Sequence, residues 1–207
     1  MNKNISAKTS RMAQLAILTA IIFLMGFTPI GFLHVGMVEI TFIMIPVIIG
    51  AIVMGPGAGA FLGAMFGLAS FMQCFGMSSF GNVLLGIQPV FTFLVCMVPR
   101  ILMGWLCGLI FRGLVRVDRT KSKSLSYCVT SLCGALLNTI FFVGGVLLLF
   151  GQTDYIMGMR GGMNLLAFVG VFVGLNGVIE AIVCFIVAAA ISKALDVVMK
   201  RQFPSDI

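Results

Sequence analysis

The chain has 207 residues, 60% of them hydrophobic and only 9% charged, with a net charge of +7. That composition excludes a soluble globular domain, and the long, non-alternating apolar runs exclude an outer-membrane barrel. The basic residues lie in the gaps between apolar runs, where the positive-inside rule puts them, so the charge implies no nucleic-acid partner. The expected fold is an all-α integral membrane protein of one domain, residues 1–207. It has six transmembrane helices, both termini in the cytoplasm, and short tails over 1–11 and 199–207.

In chain order, Met1 to Arg11 is polar and expected on the cytoplasmic side. Met12 to Phe27 is the first span, with Ala13, Ala16 and Ala20 along one side. Ala16 and Ala20 form a small-xxx-small pair, which lets another helix approach closely. Thr28 to Gly36 crosses outside, with Pro29, Gly31 and Gly36 as loop punctuation. Glu39 to Met54 is a short second span, and Pro46 inside it predicts a bend. Gly55 to Gly59 is an inner turn. Gly59, Gly63 and Gly67 then recur every four residues on span three, about 58 to 73, as a close-packing face.

Gln73 to Gln88 is expected as a long outer loop. Pro89 to Val98 is too short to span before Pro99, so it is expected as a hairpin arm or interfacial segment. Span four then opens at Pro99, a favourable first-turn residue, and runs to about Val115. This puts Arg100 at a helix end. The alternative is one long helix from 89 to 115 with Arg100 in its middle. Arg112, Arg116, Arg119, Lys121 and Lys123 make the most basic loop, on the cytoplasmic side. Leu125 to Phe150 is span five, with Asn138 and Thr139 inside it. Gly151 to Met163 is an outer loop, and Lys193, Lys200 and Arg201 return the chain to the cytoplasm.

The sixth span lies within Leu165 to Ile191 and carries Asn176 and Glu180, four apart and therefore on one face. An ionised acid near mid-membrane costs roughly 2.5–3.5 kcal/mol on insertion scales, so that face is expected away from lipid. It serves either a ligand or a buried packing contact. The six cysteines, at 74, 96, 107, 128, 133 and 184, form no CxxC pair and are read as small packing residues. With His34 the single histidine, neither a metal cluster nor a serine- or metal-dependent membrane protease is readable. No phosphate-cradling GxxxxGK[ST] is present either. No cofactor is implied. No repeat of fixed period suggests an inverted-repeat carrier. The candidate substrate-binding residues are Gln73, Arg100, Asn138, Arg160, Asn164, Asn176 and Glu180. They suit a neutral or anionic small polar molecule held among helices.

Six short spans, the Ala16/Ala20 pair, Pro46 to Ala60, Pro99-Arg100, Leu137-Asn138-Thr139 and Asn176/Glu180 together resemble a family. It is the substrate-binding S components of energy-coupling factor (ECF) vitamin transporters. The similarity covers nearly the whole chain and is carried by the order and spacing of the motifs. The resemblance implies a bacterial plasma-membrane protein that captures a vitamin outside. It also implies partners, a transmembrane coupling subunit and two cytoplasmic ATPases that would supply ATP hydrolysis, so the chain itself is no enzyme. Ala16 and Ala20 match the motif by which such proteins meet the coupling subunit. The vitamin most implied is pantothenate, whose carboxylate Arg100 or Arg160 would pair. Pyridoxine, hydroxymethylpyrimidine and folate are the alternatives within the family. A stand-alone carrier or channel, or a membrane subunit without ligand, are the alternatives outside it.

Overall fold

The computed structural model describes residues 3–28, 31–35, 38–117, 124–162, 164 and 170. The expected sixth span lies outside these residues, with Asn176, Glu180 and Cys184. The first helix, α1 (Lys3–Phe27), starts well before the apolar run, because nothing between Lys3 and Arg11 is a Gly or Pro that would stop it. After α1 comes an antiparallel ribbon of β1 (Phe32–Val35) and β2 (Val38–Thr41), with Phe32 opposite Thr41 and Val35 opposite Val38. The all-α class holds for the described residues, with this short ribbon as a local departure: β-branched and aromatic residues favour the extended chain over these few positions.

Glu39 therefore lies on β2, and the second helix is shorter than expected: α2 (Met44–Met54). Its 11 residues span about 16 Å, roughly half a bilayer core. Every residue but Val53 is buried, so α2 is a core helix. Pro46 stands in its first turn. There an amide hydrogen has no intrahelical acceptor in any case, so the expected bend has no cause. Gly55, at φ 93° and ψ −178°, turns the chain into α3 (Pro56–Gln73). That backbone region is open essentially to glycine alone.

The expected loop after α3 contains a helix, α4 (Ser79–Ile87), whose Ser78 Oγ accepts from the Gly81 amide at 3.2 Å. Next comes α5 (Pro89–Val117), one continuous helix with Pro99 inside it. The expected break between 89–98 and span four is thus corrected, and Arg100 sits in mid-helix. Its 29 residues extend about 43 Å. An interior proline removes one helical hydrogen bond at a cost of about 3 kcal/mol. In α5 the carbonyl left without its donor is that of Val95, and Arg100 Nη1 donates to it at 2.7 Å. The guanidinium thus replaces the missing amide hydrogen, and the helix continues. The other helices among the described residues are α6 (Ser124–Phe150) and α7 (Asp154–Arg160), the latter within the expected last outer loop.

Stretches of α1, α5 and α6 are long and apolar enough to cross a membrane: Lys8–Phe27, Pro89–Arg116 and Ser126–Phe150. The glycine ladder of α3 packs as its spacing predicts. β-Carbons at Gly59 and Gly63 would run into the backbone carbonyls of Gly104 and Arg100, and one at Gly67 would lie 2.8 Å from that of Cys96. The two helices therefore run antiparallel with backbones in contact, and α3 is held against α5 more extensively than against any other described element.

One hydrophobic core surrounds α2 and joins α1, α3, α5 and α6. A second core, of Leu84, Val95, Val146, Phe150 and Ile156, joins α4, α5, α6 and α7 at the other end of the bundle. The α2–α3 turn marks the basic end. Arg11 Nη2 donates to the Met54 carbonyl at 3.0 Å, and the Arg112 guanidinium lies against Gly55.

Candidate functional site

Arg100 is only 8% exposed. An α-helical side chain leans back toward the helix N-terminus, so its guanidinium is carried toward the α4 end of the bundle. There it lies 4.4 Å from the ring centroid of Phe142 on α6 and 5.4 Å from that of Phe66 on α3. Both are within cation–π range, where the negative face of a ring offsets part of the lost hydration of a buried cation. The Val95 carbonyl takes one donor, so the group is fixed from three sides by α3, α5 and α6.

The frame continues toward the surface through aromatic rings. Phe142 meets Phe80 of α4 at 6.4 Å between centroids, and Phe80 meets Tyr155 of α7 at 6.2 Å. Phe91 packs edge-on to Phe150 at 6.2 Å beside them. The two short helices α4 and α7 thus form an aromatic cover over the Arg100 seam.

Asn138 lies one turn before Phe142 on the same face of α6. It is 7% exposed, and its Oδ1 is buried with no hydrogen-bond partner among the described residues. A buried amide acceptor left empty costs about 1–3 kcal/mol, so it marks a place where a donor belongs. Its neighbour Thr139 turns back to the Ala135 carbonyl at 3.2 Å.

The other sequence-predicted residues are placed differently. Gln73, the last residue of α3, donates Nε2 to the Gly26 carbonyl near the end of α1 at 2.6 Å. Its amide nitrogen is therefore committed to helix packing. Arg160 ends α7, and Asn164 is exposed beyond it. Asn176 and Glu180 lie outside the described residues. Ala16 and Ala20 are exposed on α1, on a face that also shows Met12, Ile17 and Leu24. Cys74 and Cys96 are free, buried, and 3.9 Å apart between their sulfurs, joining the end of α3 to α5.

Sequence reasoning missed the rings that frame the cation, Phe66 and Phe142, and the covering pair Phe80 and Tyr155. The available signal was the four-residue spacing of Asn138 and Phe142.

Residues 10–192 match the family described as ECF transporter, substrate-specific component. The chain belongs to this family. It is 31% identical over 180 residues to the pantothenate transporter PanT of Leuconostoc mesenteroides subsp. mesenteroides, a match covering 86% of this chain and 84% of that protein. It is 28% identical over 167 residues to the pantothenic acid transporter PanT of Lactococcus lactis subsp. cremoris, covering 76% and 78% respectively. This S component is therefore a multi-pass membrane protein of a vitamin-transporter family, which is not a family of enzymes. Membership implies association with the membrane and ATPase subunits of an ECF module.

Proposed function

We propose that this S component is the high-affinity pantothenate-binding subunit of an ECF importer in a bacterial plasma membrane. The observation that carries the reading is the buried Arg100 guanidinium, held between Phe66 and Phe142. Pantothenate is a flexible hydroxylated anion. Its carboxylate pairs with a guanidinium, and its hydroxyl or amide hydrogens suit the empty Asn138 Oδ1. The relatives named for pantothenate support the same substrate.

In this reading Arg100 and Asn138 contact the vitamin. Arg160, Asn164, Asn176 and Glu180 are the further candidates along the chain beyond α6, and Gln73 supports the site through its tie to α1. The chain spans six times with both termini in the cytoplasm. The basic end at Arg11 and Arg112 faces the cytoplasm, and the α4 and α7 cover faces outward. Ala16 and Ala20 form the face that meets the coupling subunit, and two partner ATPases drive release of the vitamin inside.

Native mass spectrometry of the purified chain tests this reading, with pantothenate, pyridoxine and folate offered in competition. The expected spectrum shows one retained pantothenate per protein. Retention of pyridoxine or folate, with pantothenate excluded, would overturn the substrate assignment.

A further inference from the structure

In a regular α-helix the carbonyl of residue 95 accepts the amide hydrogen of residue 99. Proline at 99 has none, so the Val95 carbonyl keeps its acceptor position along the helix. Arg100, the very next residue, folds its own side chain back five residues and fills that position at 2.7 Å. The arrangement is braced on both sides. Gly63 of α3 packs against the Arg100 carbonyl, and the Pro99 ring lies toward Gly145 of α6, where a β-carbon would sit 3.7 Å from Pro99 Cγ. A long arginine has many rotamers, and a charge buried at an uncontrolled angle recognises nothing in particular. Anchoring one terminal nitrogen on the Val95 carbonyl restricts the directions in which the planar fork can point.

We infer that Pro99 is a positioning residue: by withholding an amide hydrogen it reserves the Val95 carbonyl for Arg100 and so aims the guanidinium for a carboxylate. The inference rests on the reading of Arg100 as the anion-recognising group. It assigns the proline a role in ligand selectivity that is separate from helix shape. Alanine at 99 restores the amide donor, which competes with Arg100 for the same oxygen and straightens the helix beneath it.

The experiment is calorimetric titration of the detergent-purified full chain with pantothenate and with its neutral alcohol, pantothenyl alcohol. The proteins are wild type, Pro99→Ala, Pro99→Ser and Arg100→Gln, each with its thermal midpoint measured. Wild type is expected to prefer the anion, and Arg100→Gln to lose that preference. Pro99→Ala is expected to bind pantothenate about tenfold or more weaker, the loss that misplacing one charge-assisted bond produces. Its affinity for the alcohol stays near wild type, and its thermal midpoint is equal or higher, because the helix regains a hydrogen bond. Pro99→Ser supplies the same amide hydrogen and should follow Pro99→Ala, which keeps the test alive if one variant fails to fold. Full anion preference in a folded Pro99 variant overturns the inference while leaving the Arg100 reading intact, and so does an equal loss for both ligands. Absence of anion preference in wild type, or its persistence in Arg100→Gln, overturns the Arg100 reading and the inference with it.

Discussion

Gln73 Nε2 donates to the Gly26 carbonyl at 2.6 Å, joining the last residue of α3 to the last turn of α1. The final carbonyls of a helix have no intrahelical donor. Thr28 Oγ1 satisfies Leu24 at 2.7 Å in the same turn, and Gln73 satisfies Gly26. Gln73→Ala leaves a buried carbonyl empty, which costs about 1–3 kcal/mol. The thermal midpoint of the detergent-purified protein should fall, while pantothenate affinity stays within a few-fold of wild type. A large loss of affinity at unchanged thermal midpoint would show instead that the amide reaches the ligand.

Asn138→Leu separates stability from binding in the opposite sense. The substitution removes an empty buried acceptor and keeps similar volume, so the ligand-free protein should be as stable as wild type or more so. The ligand then loses a partner, and affinity should drop about tenfold, equivalent to about 1.4 kcal/mol. Thermal shift with and without pantothenate reads both effects in one experiment. A destabilised free protein with undiminished ligand-induced shift would place Asn138 in packing alone.

How much of this was legible depended on whether the controlling interaction was local. The span ending at Phe150 was readable because its apolar run is long and uninterrupted, and α6 starts at Ser124 where the reading began at Leu125. The Gly59, Gly63 and Gly67 spacing likewise pointed to a close contact, which α5 provides. The continuity of α5 was not readable. Proline usually marks a helix start or break, and what bridges it here is a side chain that belongs to the next residue. The aromatic frame was hidden for a different reason. In a membrane helix a Phe that faces lipid and a Phe that faces a cation have the same local sequence, and only the packing of α3, α5 and α6 tells Phe66 and Phe142 from the exposed Phe61 and Phe93. The ribbon at Phe32–Thr41 was too short to show a period.

The α3–α5 contact makes a prediction of its own. Gly63→Ala places a methyl against the Arg100 carbonyl, which belongs to a backbone and cannot swing aside. The helices must part, at a cost of about 1–3 kcal/mol for overpacking. Because the displaced segment carries Arg100, pantothenate affinity should fall together with thermal stability. Gly57→Ala is the control, since a β-carbon there meets nothing within 4 Å. Equal behaviour of the two variants would remove the close-packing argument.

The exposed small-residue face of α1 concerns a partner rather than the ligand. Ala16→Trp or Ala20→Trp should abolish co-purification with the coupling subunit and cellular pantothenate uptake, because a bulky ring blocks close helix approach. Binding of pantothenate to the isolated chain should be unaffected. Loss of binding in the isolated variants would assign the stripe to internal packing.

The most direct measurement is calorimetric titration of pantothenate into Arg100→Gln beside wild type, with the folded state of each checked by its thermal midpoint. Removing one member of a buried charge pair typically costs about 2–5 kcal/mol, so the account predicts an affinity at least about thirtyfold weaker. Unchanged affinity in a folded Arg100→Gln protein would contradict it.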